Sequence, residues 1–270
     1  MIPDPSVPVN PDVRSSVWKA FTFLLTGFTI LILSACNAKQ DTTESTNVQV
    51  IIAFYNVQNL FHPDDDPHTN DNEFTPAGSK KYTTEVYTDR ILKIGDILSG
   101  IRNSINGELM LAGLAEIENE QVLSDLCELG LPDGFRYIHS DSPDPRGIDV
   151  ALLYNIHLFT PDTFIIAGIQ EPYKPGRSVP RTRDILFVIG HTANEKLIIS
   201  VNHWPSRRGG VLKTEHKRMH LASLHKQVSD SLRSVFKDHK FIIMGDLNDN
   251  PDDKSVEKIM KVGDGSNGAG

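Results

Sequence analysis

The chain has 270 residues, 39% of them hydrophobic and 23% charged, with a formal net charge of -8 at pH 7. Such proportions describe an ordinary globular protein with enough apolar material for one large core. The negative balance excludes a broad basic surface able to hold nucleic acid by field alone, leaving room for a locally basic site or a metal ion that supplies the positive charge.

Residues 1 to 13 are Pro-rich, and Arg14 and Lys19 then precede an uncharged apolar run from Ala20 to Ala35. A basic start, an apolar stretch of this length and small residues before a cut site predict a secretory signal peptide over residues 1–35. The run is short for a spanning helix, which needs about 20 apolar residues; an uncleaved membrane anchor is the alternative. Leu33-Ser34-Ala35-Cys36 resembles the bacterial lipobox. That resemblance implies a lipidated Cys36, and so an exported lipoprotein, membrane-anchored on the periplasmic or outer side. Cys127 then has no partner for a disulfide and reads as a buried thiol in a helix. The polar tract Asn37 to Asn47 places a flexible tether at residues 36–47. Residues 48–270 remain for the folded domain.

Val48 to Asn56 is a β-branched and aromatic run that predicts a buried strand. It breaks into Asn56-Val57-Gln58-Asn59, and an acidic loop follows from His62 to Lys80. That loop lacks the ligand spacing of an EF-hand and reads as solvated. Ile91, Ile94, Ile97, Leu98 and Ile101 recur at helical spacing within Tyr87 to Ile105, predicting an amphipathic helix. Leu109 to Leu114 is a second buried strand, ending in Ala115-Glu116-Ile117, with a helix from Glu120 through Leu129. Five further strands are predicted: Phe135 to His139, Ile148 to Tyr154, Thr163 to Ile169, Asp184 to Ile189 and Lys196 to Asn202. A helix over residues 213–237 follows, with Met219, Leu221, Leu224, Val228, Leu232, Val235 and Phe236 as its apolar stripe. Phe241 to Met244 is the last strand. Two series of strands with helices between them predict two packed β-sheets flanked by helices.

The strand ends gather polar groups: Asn56 and Gln58, Glu116, Asp149, Asn202 and His203, then Asp246 and Asn248. Each has a bland reading. Gly245-Asp246-Leu247-Asn248 is also an ordinary Asx-turn sequence, Glu116 is also a solvent-exposed carboxylate, and a strand-end histidine such as His203 is also a hydrogen-bonded structural residue. Arg207-Arg208-Gly209-Gly210 beside His203 offers paired arginines on a Gly loop, which suit a phosphate. Arg181 and Arg183 suit the same role or are surface charges. Oxygen ligands and amides with one His fit Mg²⁺ or Mn²⁺ and not a structural zinc.

Four blocks in order, Phe54-Tyr55-Asn56-Val57-Gln58, Leu114-Ala115-Glu116-Ile117, Val201-Asn202-His203-Trp204-Pro205 and Gly245-Asp246-Leu247-Asn248, resemble the endonuclease/exonuclease/phosphatase superfamily. The resemblance runs from about Val48 to Pro251 and implies a four-layer α/β sandwich that cleaves phosphoester bonds with Mg²⁺ or Mn²⁺. It implies that Asn56 and Glu116 hold the metal and that His203 contacts the scissile phosphate. Asp246 and Asn248 would orient or activate the attacking water, and Arg183 would meet the substrate phosphate, as Arg207 is expected to do from its place on the Gly loop. The expected substrate is a phosphodiester, from nucleic acid or a small phosphoester, and the expected protein is a monomer held to a membrane through Cys36. The family pattern closes with an Asp-His pair after further strands, whereas no His follows Asn248 here and Asp264 stands in the wrong setting. The chain therefore reads as lacking its C-terminal strands. Endonuclease-like phosphodiesterase, small-molecule phosphatase or phospholipase, and inactive lipid-anchored module binding a phosphate ligand are the three expectations.

Overall fold

The computed structural model describes residues 28–33, 49–105, 107–169 and 182–261. In chain order the elements are β1 (Phe28–Leu33), β2 (Val50–Leu60), α1 (Thr84–Ile105), β3 (Glu108–Ile117), α2 (Glu120–Asp125), β4 (Phe135–His139) and β5 (Asp149–Asn155). They continue as β6 (Thr160–Ala167), β7 (Ile185–His191), β8 (Lys196–His203), α3 (Val211–Val235) and β9 (Lys240–Asp246). One sheet has the order β1-β2-β3-β5-β4 and the other β6-β7-β8-β9. The pairs β2–β3 and β8–β9 are parallel, and every other neighbouring pair is antiparallel.

Alternation along the strands builds the layers, because successive side chains leave opposite faces. On β2, Ile51 and Ala53 pack outward against α1 with Ile91, Ile94 and Leu98. Ile52 and Phe54 point inward, meeting Val188, Ile199, Val201 and Met244 of the other sheet. On β7, Phe187 and Ile189 take the opposite outer face, against Leu221, Ala222 and Leu232 of α3. The result is a four-layer α/β sandwich: helix, sheet, sheet, helix. Each aliphatic side chain buried in such a layer contributes about 1.5–3 kcal/mol.

The helices bury narrower and more polar stripes than their sequences suggest. On α1, Ile91, Ile94, Leu98 and Ile101 are buried, while Ile97, expected in the same stripe, is exposed. On α3 the buried face is Thr214, Arg218, Leu221, Ala222, His225, Ser229 and Leu232. That face lies beside the purely apolar stripe because Arg218, His225 and Ser229 find partners inside the protein. The helix expected through Leu129 ends at Asp125 and widens into a turn over Leu126–Gly130, with Asn119 Oδ1 accepting from Val122 N–H to cap its start. Cys127 is a free thiol that burial raises to about 11.

Phe28–Leu33 falls within the segment assigned to the leader and left out of the fold. It is paired antiparallel with β2, from Phe28 opposite Tyr55 to Leu33 opposite Val50. An apolar run of this kind satisfies a row of backbone donors and acceptors that an open edge would leave unpaired. Cys36, the tether at residues 36–47, Arg181 and Asp264 lie outside the described residues.

Candidate active site

The two parallel pairs bring four strand ends to one place. Asn56 lies opposite Ala115 in the β2–β3 register, one residue before Glu116, and His203 lies opposite Asp246 in the β8–β9 register. Glu116 sits where the β3–β5 register skips a residue, between Ala115 opposite Val150 and Ile117 opposite Asp149, and its φ is +66°. A left-handed conformation costs a non-glycine residue about 1–2 kcal/mol. Gly113 sits on β3 between the sheets, where an added Cβ would lie 2.4 Å from Met244 Sδ. That close approach lets β3 and β9 end side by side.

Asn56 Nδ2 donates to Glu116 Oε1 at 3.3 Å and to Asp246 Oδ2 at 3.2 Å, so one amide gathers carboxylates from both sheets. Asn56 Oδ1 accepts from Gln58 N–H at 2.9 Å. Asp246 Oδ1 accepts from Asn248 N–H at 3.0 Å, with Asn248 at φ +51°. The Asx-turn reading of this block is therefore correct in conformation. It is the turn, and not a continuing strand pleat, that sets Asn248 beside Asp246. Asn248 Nδ2 donates to the Trp204 carbonyl at 3.0 Å, and Trp204 N–H donates to the Asp246 carbonyl at 2.9 Å.

His203 is buried, with Nε2 3.7 Å from Glu116 Oε1 and no hydrogen-bond partner for Nδ1 among the described residues. Burial, then the cations Arg183 and Arg146, hold its pKa well below the usual histidine value. The imidazole is neutral at physiological pH, so the Glu116 contact is not an ion pair.

Arg183 and Arg207, expected to meet the substrate phosphate, are instead bound within the protein. Arg183 is buried and donates from Nη1 to Asp144 Oδ2 at 2.8 Å, from Nη2 to the Trp204 carbonyl at 2.8 Å and from Nε to the His203 carbonyl at 3.2 Å. It thereby braces the turn that carries His203. Arg207 donates from Nε to the Asn248 carbonyl at 2.7 Å and from Nη2 to Asp249 at 3.2 Å, and it also binds Asp253. A buried guanidinium needs such partners to offset its desolvation.

Several supporting residues are not apparent in the sequence pattern. Arg90 of α1 donates to the Val57, Gln58 and Asn59 carbonyls at 2.8, 2.7 and 2.9 Å, clasping the left-handed turn after Asn56. Arg218 is fully buried and donates to Asp249 Oδ1 at 2.6 Å, while Ser255 Oγ holds Asp249 Oδ2 at 2.6 Å. Arg146, which also meets Asp144 at 3.4 Å, has a side chain 47% exposed and is the more exposed of the two cations acting on His203. Nearby, burial raises Glu118 to about 7, a shift opposed by the His62 N–H and reinforced by Asp71 and Asp66.

No curated protein sequence matches the chain. Among solved structures, an endonuclease/exonuclease/phosphatase family protein from Bacteroides thetaiotaomicron gives a TM-score of 0.52 at 18% identity, over 78% of this chain and 66% of that one. The Bacteroides thetaiotaomicron VPI-5482 mannosyl-6-phosphatase gives 0.51 at 17%, over 78% and 69%. The human Nocturnin catalytic domain gives 0.44 at 15%, over 62% of this chain and 60% of that one. The chain thus spans roughly two thirds of these structures' lengths. The sequence profile described as "Endonuclease/Exonuclease/phosphatase family" matches residues 51–269, from β2 past the last described turn and across all four blocks. With both sheets and the strand-end cluster in place, the chain belongs to the endonuclease/exonuclease/phosphatase family, whose members are phosphoester hydrolases.

Proposed function

We propose that the protein hydrolyses phosphodiesters in a reaction that depends on Mg²⁺ or Mn²⁺. One observation carries this reading: the Asn56 amide holds Glu116 and Asp246 together from different sheets, at 3.3 and 3.2 Å. Two carboxylates gathered so closely favour a cation between them. Carboxylate and amide oxygens are the donor set of Mg²⁺ and Mn²⁺. Glu116 would hold the ion, joined by the Asn56 amide oxygen once that amide, whose nitrogen faces both carboxylates here, turns over; the ion when bound neutralises charge on the phosphate's non-bridging oxygens.

The chain's own groups supply the rest. Asp246 is fixed through both oxygens, by Asn248 N–H and by Asn56, so its carboxylate is preset to accept a proton from the attacking water. Asn248, anchored to Trp204, lines the approach to it. His203, kept neutral by burial, offers a ring N–H to a phosphate oxygen. Arg146 provides a more exposed cation than Arg183 or Arg207.

A smaller substrate is favoured over long nucleic acid by the acidic rim. His62, Asp64, Asp65, Asp66 and Glu118 line a hollow at the same end of β2 and β3, and their field repels a polyanion. The test is turnover by the full chain of bis-(p-nitrophenyl) phosphate, p-nitrophenyl phosphate and plasmid DNA, with Mg²⁺, Mn²⁺ or EDTA. Metal-dependent cleavage of the small diester ahead of the other two is expected. Preference for the monoester would replace the diester reading with a phosphatase. No turnover of any substrate by folded protein would leave a module that only binds phosphate ligands.

A further inference from the structure

One cluster at the strand ends takes no part in that chemistry. β4 and β5 pair antiparallel with His139 opposite Ala151. Asp149 leaves the same face of β5 as Ala151, so it is a diagonal neighbour of His139. The loop from β4 then returns Asp141 to the pair. His139, Asp141 and Asp149 each offer one ligand atom, and those atoms all lie within 4.8 Å of one another.

The histidine is the second observation. Its side chain is 1% exposed, yet among the described residues neither Nδ1 nor Nε2 has a partner in good hydrogen-bond geometry, the contact with Asp149 being a long one. Buried polar groups almost always have a hydrogen-bond partner. The nearest charged atom is Asp149 Oδ2, 3.4 Å from Nε2, beyond the usual 2.7–3.2 Å or so of an N–H···O bond. Asp149 Oδ1 is turned the other way, taken by the Ser142 hydroxyl and by Ser142 N–H at 2.9 Å. That leaves Oδ2 for the ring. Bonds of about 2.0–2.1 Å to a tetrahedral ion separate two ligand atoms by about 3.4 Å, which is the spacing of His139 Nε2 and Asp149 Oδ2.

We propose that His139 Nε2, Asp141 and Asp149 Oδ2 form a second cation site, for a divalent transition metal and best for Zn²⁺. An imidazole with two carboxylates suits that ion better than Mg²⁺, which favours oxygen alone. Asp141 is exposed and gives the ion a route in, leaving a fourth position open to solvent. Ser142 is the outer partner that orients the Asp149 carboxylate. Asp149 lies opposite Ile117, next to Glu116, so the site is one strand away from the Asn56–Glu116–Asp246 cluster and shares no residue with it. Its consequence is mechanical. The ion ties down the loop bearing Asp144, which holds Arg183 and through it the His203–Trp204 turn.

The test loads metal-stripped full chain carrying Glu116→Gln with Co²⁺, read by visible absorption, and then competes it off with Zn²⁺. The site predicts the intense absorption of a four-coordinate ion in this background. Adding Asp141→Asn weakens binding by about tenfold or more, at least what loss of an outer partner costs a metal site. His139→Gln does the same; should circular dichroism show it unfolded, Asp141→Asn, at an exposed position, decides alone. Absence of the four-coordinate spectrum in the Glu116→Gln chain overturns the site, as does an affinity changed by less than that factor in Asp141→Asn.

Discussion

His225 shows how much a single buried imidazole is asked to do. Ser200 Oγ and Ser229 Oγ lie 2.8 and 3.1 Å from its two ring nitrogens, and the Phe187 and Phe241 rings pack beside it. Burial, then Arg233, lowers its pKa to about 3. The unfolded chain titrates near 6.5, so between about pH 6.5 and 3 it binds a proton that the folded protein refuses. Stability is complete above that window and falls as pH drops through it, by about 1.4 kcal/mol per pH unit at most. His225→Gln removes this proton. On going from pH 7 to 4.5 its urea midpoint is expected to rise relative to that of the wild type, whereas parallel changes would contradict the account. Glu118 and Asp184, which burial raises to about 7 and about 6, act with the opposite sign and are common to both proteins, so the difference isolates His225. At this scale the sequence pattern reveals which polar residues stand at strand ends and conceals who their partners are. Asn56, Glu116, His203, Asp246 and Asn248 converge because their strands end together. Arg183 reads as a phosphate contact because nothing along the chain announces that Asp144, 39 positions earlier, occupies it.

Strands are the most legible elements, since runs such as Ile198-Ile199-Ser200-Val201 carry their burial in composition and length. Their ends are less so. β2 runs on to Leu60, beyond the expected Asn56, because Arg90 clasps the turn from a helix more than 30 positions later. The Ser255–Met260 turn is unannounced by periodicity and closes over Asp249 through Ser255. Gly245 is the element-level feature most open to test. Its φ is +152°, and a Cβ there would stand 2.3 Å from the Asn202 carbonyl oxygen on the neighbouring strand. Gly245→Ala must push β9 away from β8 at the residue before Asp246. A loss of about 2–4 kcal/mol in urea denaturation is expected, in the range of backbone-strain substitutions, together with loss of turnover. Unchanged stability would mean that the two strands do not approach this closely.

The whole molecule follows from alternation on both sheets, which the sequence displays, and from strand order, which it does not. A reader of the chain finds two strand series and their helices; that β5 lies between β3 and β4 depends on pairing across the loop bearing Asp144 and Arg146. The same ordering makes the site, because two parallel pairs, one in each sheet, end at a common edge. The central claim is that this convergence is catalytic and not merely structural. It is tested most directly by turnover of bis-(p-nitrophenyl) phosphate in Mg²⁺ by wild type, Glu116→Gln and Asp246→Asn, each with its urea midpoint measured. The account predicts a fall of about 100-fold or more in both variants with folding preserved, the scale set by losing one preorganised charged or polar group at a reacting centre. Turnover within about threefold of wild type in either folded variant, far short of such losses, would contradict it.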